Sequence, residues 1–171
     1  FHFAVLKRSG ITNVAQLAGK RVGVGPRAGT PGTYFPLIFK ALGVENVTIR
    51  NGQASDMGSQ LADGLIDCFA FAAGLPIAAY TELSNTQDVV FFGFSDADLA
   101  KMQAQIPELS PSTIPKGTYK QVADDQKTVG LFNFAVANKA IPDSLAYAIV
   151  KAVHENHAAM VKGHAAAVES V

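Results

Sequence analysis

Between Leu17 and Phe94 the apolar pattern changes period at regular intervals, with short strand-like runs giving way to amphipathic helical stretches and back again. No other feature restricts the fold as strongly. Strands separated by helices pair in parallel, and parallel neighbours need crossovers that lie on the sheet faces, so the pattern predicts an α/β fold: a mostly parallel sheet with helices on both faces. The predicted strands are Arg21 to Gly25, Val47 to Arg50, Asp67 to Phe71 and Val89 to Phe94. Helices are predicted from Thr33 to Leu42 with Gly43 as the stop, from Ser55 to Asp63 with Gly64 as the stop, and from the Gly74 and Pro76 region to about Leu83. Asp96 to Gln105 reads as a further short helix; Pro107, Pro111 and Pro115 then break the pattern and predict a linker or return segment. Thr128 to Ala137 alternates as a strand does, and Pro142 opens an Ala-rich helical tail, interrupted at Gly163.

Composition narrows the function classes. Apolar residues make up 49% of 171 and charged residues 16%, which excludes a disordered chain. Fourteen basic residues offset fourteen acidic ones without forming a basic stripe, so the footprint of a nucleic-acid binder is missing. Apolar runs are too short to span a bilayer. The chain opens at Phe1 directly in an apolar segment, without initiator Met or signal peptide, and reads as a piece of something longer.

The most informative loop is Gly25-Pro26-Arg27-Ala28-Gly29-Thr30-Pro31-Gly32-Thr33, between the first predicted strand and its helix. A helix start carries unpaired N–H groups and about half a positive charge, and glycines allow close backbone approach, so a carboxylate or phosphate suits it. The loop also falls at the carboxyl ends of parallel strands, where open α/β sheets place ligands. Thr30 and Thr33 supply hydroxyls, and Arg27 a two-pronged donor. The same residues also fit a plain tight turn in which a Thr caps the helix and Arg27 is solvated. No Gly-Lys-Ser/Thr ends the loop and the glycine spacing is not that of a dinucleotide site, so nucleotide binding is not indicated.

Other chemistry is thin. Cys68 lies within the apolar run Ile66 to Ala73 and reads as a buried thiol. His154 and His157 share a helix face with His164 beyond, but no third ligand accompanies them, so no metal or cofactor is expected. Asp63 and Asp67 flank Gly64 at a helix end and a strand start rather than facing one another, and no nucleophile-base set assembles, so the chain does not read as an enzyme.

Four segments in order resemble TAXI-type solute receptors of TRAP transporters: Val14 to Pro26, Leu61 to Phe69, Gly74-Leu75-Pro76, and Thr113 to Tyr119 before Lys127 to Val129. The resemblance implies a type II periplasmic-binding fold, two α/β lobes closing over a small anionic solute such as glutamate or a dicarboxylate. The solute is then passed to membrane transporter subunits. It further implies that residues 1–12 form a connecting strand, 13–110 the second-lobe core, and 111–171 a return segment that folds back or pairs with a second copy by exchange. An extracytoplasmic, periplasmic location follows from the resemblance alone. Carried over residue by residue, the ligand loop falls on Arg27, Ala28, Gly29, Thr30 and Thr33, with Phe71 and Gly74 as the next wall and Tyr119 contributed by the returning segment. An enzyme on a similar fold, using Asp67 and Tyr119, and the effector lobe of a transcriptional regulator remain as rivals.

Overall fold

In the computed structural model, which describes residues 1–170, the chain divides into two compact units. The first comprises Phe1–Ala73 and Ile77–Leu131, and the second Gly74–Pro76 and Phe132–Val171.

The first unit is built on a five-stranded sheet of β1 (His2–Leu6), β2 (Arg21–Val24), β3 (Thr48–Asn51), β4 (Cys68–Phe71) and β5 (Val89–Phe92), in the order β3-β2-β4-β1-β5. β2 pairs in parallel with β3 and β4, while β1 runs antiparallel to both its neighbours, β4 and β5. Four of the five strands therefore point the same way, as the α/β pattern predicts. Within residues 1–12, His2–Leu6 is β1, a strand inside this sheet with every residue buried.

Strand alternation sorts the side chains into two layers. Phe3, Val5, Val22, Val24, Cys68, Ala70 and Phe92 meet Phe35, Ile38 and Phe39 of helix α1 (Thr30–Leu42) and Met102 of helix α4 (Asp96–Gln105). The residues between them, such as Phe69 and Phe91, face α2 (Ala54–Ala62) and α3 (Ala78–Thr86), with Tyr80 packed on both rings. Helices cover both faces. Gly23 is small for a reason: a β-carbon there would lie 2.5 Å from Ile66 Cδ1 and 2.7 Å from Met57 Sδ.

The linker predicted around the three prolines is instead half of a ribbon, β6 (Ser110–Ile114) paired antiparallel with β7 (Gln126–Gly130). Pro111 is accommodated because a two-stranded ribbon has open edges where a missing N–H costs no ladder bond. β7 lies along the main sheet: Phe94 N–H donates to Lys127 O at 2.9 Å, Phe1 N donates to Val129 O at 3.1 Å, and Thr128 Oγ1 donates to Phe1 O. The predicted Thr128 to Ala137 strand stops at Gly130, because the alternating residues beyond it have nothing to pair with.

In the second unit, α5 (Asp143–Glu155) and α6 (His157–Gly163) precede a 3-10 turn at Ala165–Glu169. The helical tail is interrupted at Gly163, where α6 ends, and also earlier at Asn156, whose side chain turns back to donate to Ala152 O at 2.8 Å. Among the described residues no helix is long and apolar enough to cross a membrane.

Candidate ligand-binding site

The carboxyl ends of β2, β3 and β4 converge on the loop Gly25 to Gly29. Its conformation is determined by close packing. A β-carbon on Gly25 would meet Pro31 Cγ at 2.6 Å and Phe71 Cε2 at 2.9 Å, so the absence of a side chain there lets Phe71 and the start of α1 close on the strand end. On Gly32 it would lie 2.2 Å from Pro26 O. The turn is closed by Gly29 N–H donating to Pro26 O at 2.9 Å, and the loop is pinned from its neighbour when Asn51 Nδ2 donates to Gly25 O at 3.0 Å.

α1 begins earlier than predicted, at Thr30, with Pro31 in its first turn, where a residue without an N–H is tolerated. Its N-cap is Gly29, and no side chain caps it. Neither Thr30 nor Thr33 caps the helix. Thr33 N–H donates to Gly29 O at 3.0 Å; among the described residues the N–H groups of Thr30 and Gly32 have no acceptor. Two donors without acceptors and the positive end of a 13-residue helix therefore lie at the sheet's carboxyl edge. Thr30, Thr33, Arg27 and Ala28 are all exposed around them. Arg27 forms no ion pair among the described residues. The arrangement can receive one small anion with backbone donors, hydroxyls and a guanidinium within the same stretch.

A family model described as the NMT1-like family matches residues 1–171. The chain belongs to the NMT1-like family. Two solved structures are similar over 98% of this NMT1-like chain. One is the substrate binding protein of an amino acid ABC transporter, with a TM-score of 0.48 and 15% identity over 55% of its length. The other is an ancestral arginine-binding protein bound to glutamine, with a TM-score of 0.37 and 18% identity over 56% of its length. The NMT1-like chain thus spans little more than half the length of the solved structures it matches.

Phe71 joins the loop, packing on Gly25, and Arg27, Ala28, Gly29, Thr30 and Thr33 lie along it. Tyr119 does not: it is 3% exposed, its ring stacks on Phe91 at 4.8 Å, and its hydroxyl accepts the Ile77 N–H at 3.0 Å. Burial pushes that phenol up to about 12. Gly74 belongs to the second unit, where a β-carbon would meet Ala166 Cβ at 2.6 Å. Asp67 sits near the opposite, amino-terminal end of β4, accepting from Arg21 Nη2 at 2.7 Å and from Nε and the backbone N–H of Arg21. Those hydrogen bonds hold its carboxyl below the ordinary range. His157 Nε2 lies 2.8 Å from Ala167 O and His164 Nδ1 accepts from Ala166 N–H, so both join the tail's local packing. Among the described residues no three His, Cys, Asp or Glu side chains gather.

The loop-pinning role of Asn51 escaped sequence reading. The signal that could have found it is its position as the last residue of the second parallel strand, where a short amide reaches the neighbouring strand-end carbonyl.

Proposed function

We propose that this chain is a solute-binding lobe of an extracytoplasmic receptor of the TAXI type, which captures a small anionic solute, glutamate or a dicarboxylate, for a TRAP-type membrane transporter. The observation that carries this reading is the uncapped start of α1, with free N–H groups at Thr30 and Gly32 beside two exposed threonines and Arg27. Recognition uses Arg27 to Thr33 and Phe71, held in place by Asn51, and involves no covalent step. The periplasm is the proposed location, and the transporter's membrane subunits the proposed partners. The enzyme reading loses its two candidates, because Asp67 is engaged by Arg21 and Tyr119 by the Ile77 N–H.

Thermal unfolding with a panel of carboxylates, amino acids and phosphates tests the proposal. A ligand at one hundred times its dissociation constant adds about 2.7 kcal/mol, which for a chain of this size raises the midpoint by roughly 5–10 °C. A shift confined to carboxylates supports the reading. Equal silence toward every anion contradicts it.

A further inference from the structure

Asn51 is the last residue of β3 and stands directly before Gly52, the only Asn-Gly pair in the sequence. In such a pair the glycine backbone nitrogen can attack the asparagine amide carbon. A C–N bond forms, a five-membered imide closes, and the side-chain nitrogen leaves as ammonia. Water then opens the imide at either carbonyl to give aspartate or isoaspartate, so the net change is water taken up and ammonia released. Glycine favours the attack because it has no β-carbon to obstruct it and turns freely about its backbone bonds.

The fold engages both nitrogens of this reaction. Gly52 N–H, the incipient nucleophile, donates to Val24 O at 3.1 Å, and Asn51 Nδ2, the leaving group, donates to Gly25 O at 3.0 Å. Asn51 also pairs with Val24 in the parallel ladder, and extended backbone turns the following nitrogen away from the side chain. All of this protection comes from one side. β3 is an edge strand held by β2 alone, and three of its four residues, Asn51 among them, are exposed. A strand end with so little buried surface opens at a much lower free energy than the core.

We propose that Asn51 is a deamidation site controlled by opening of this strand end, and that its modification unpins the loop from Gly25 to Thr33. The amide that donates to Gly25 O becomes a carboxylate, which at neutral pH has no proton to offer, so two acceptors face one another where a hydrogen bond stood. Isoaspartate adds a backbone carbon between β3 and α2 as well. The consequence for solute capture rests on the reading above: a negative charge beside Gly25 O opposes an anion at the start of α1. The modification and the unpinning do not depend on that reading, and both are measured on the chain without solute.

Deamidation is slow against strand opening, so its rate follows the open population. The whole chain is incubated at neutral pH and body temperature, folded and in unfolding urea, and the peptide that holds Asn51 is followed by mass spectrometry. The rate in the folded chain should lie about ten- to a thousandfold below the rate in urea. Gly52→Ala should suppress the reaction in both states; its added carbon would lie 2.6 Å from Met57 Cε, the far end of a flexible side chain, so the variant folds. Scanning calorimetry then ranks Asn51→Ala and Asn51→Asp. Both should melt below the parent, with Asn51→Asp the lower at neutral pH, and the gap should close in acid, where a protonated acid donates to Gly25 O as the amide does. A folded rate equal to the unfolded one, or one slower than that window, would overturn the control by strand opening. An Asn51→Asp variant that melts with the parent would overturn the unpinning. The kinetic measurement uses the parent chain and holds even if a variant fails to fold.

Discussion

Replacing Gly32 by Ala tests whether the loop from Gly25 to Thr33 is held by backbone contact. The added carbon would lie 2.2 Å from Pro26 O, 2.8 Å from Arg27 Cα and 2.9 Å from Pro26 C. Ordinary contacts of this kind lie near 3.5 Å, so the loop must retreat by about 1 Å, and no rotamer change can relieve a clash with backbone. Overpacking costs typically about 1–3 kcal/mol, and a clash this close belongs at the upper end. Alanine's better helix propensity returns at most about 1 kcal/mol. The net loss of about 2 kcal/mol lowers the melting midpoint by roughly 4–8 °C. Gly58→Ala, in α2, is the control, since its nearest neighbours would be Ala79 O at 3.8 Å and Ala79 Cβ at 4.0 Å. There the propensity gain stands unopposed and the midpoint should rise by about 1–4 °C. Differential scanning calorimetry on the two variants and the parent decides the matter. If Gly32→Ala melts at or above the parent, the loop is not held as described.

Tyr119→Phe leaves the buried Ile77 N–H without its acceptor and should cost about 1–3 kcal/mol, measured by urea unfolding. Because the Asp67 carboxyl titrates lower in the folded chain than in the unfolded one, its contribution is complete above the ordinary carboxylate range and disappears as pH falls through the folded value. Asp67→Asn should therefore lower stability at neutral pH and flatten the acid limb of the stability profile, whereas an unchanged limb would show the pair to be idle. Cys68 is fully buried and burial pushes its thiol up, so a thiol reagent should label it only at the rate of unfolding; rapid labelling of the native chain would refute its place in the sheet.

Local signals announced some elements and could not announce others. α4 was legible to its end residues, and its start is fixed by a capping box in which Asp98 N–H donates to Ser95 Oγ at 3.2 Å and Ser95 N–H donates to Asp98 Oδ2 at 3.1 Å. The start of α1 was read three residues late, since Thr30-Pro31-Gly32 has loop composition although each residue is tolerated in a first turn. That β1 is a strand follows from its apolar run, but its seat between β4 and β5 depends on pairings 65 to 89 residues away, which no local pattern encodes. The alternation from Phe132 to Ala137 is real but lacks a partner, and a strand is a property of pairs. Within the site, the Gly-rich loop was visible from its position alone. Tyr119 was misplaced because an aromatic near a proposed cleft looks the same in sequence whether its hydroxyl is free or spent.

An anion received by the backbone at the start of α1 must perturb the amides there. The most direct test is a titration of isotopically labelled chain with glutamate, following backbone amide resonances. Saturable shifts should be largest at Thr30 and Gly32, smaller at Thr33 and Phe71, and reduced in Arg27→Ala. Saturation with the largest shifts elsewhere, or no shift at these amides at any concentration, would contradict it.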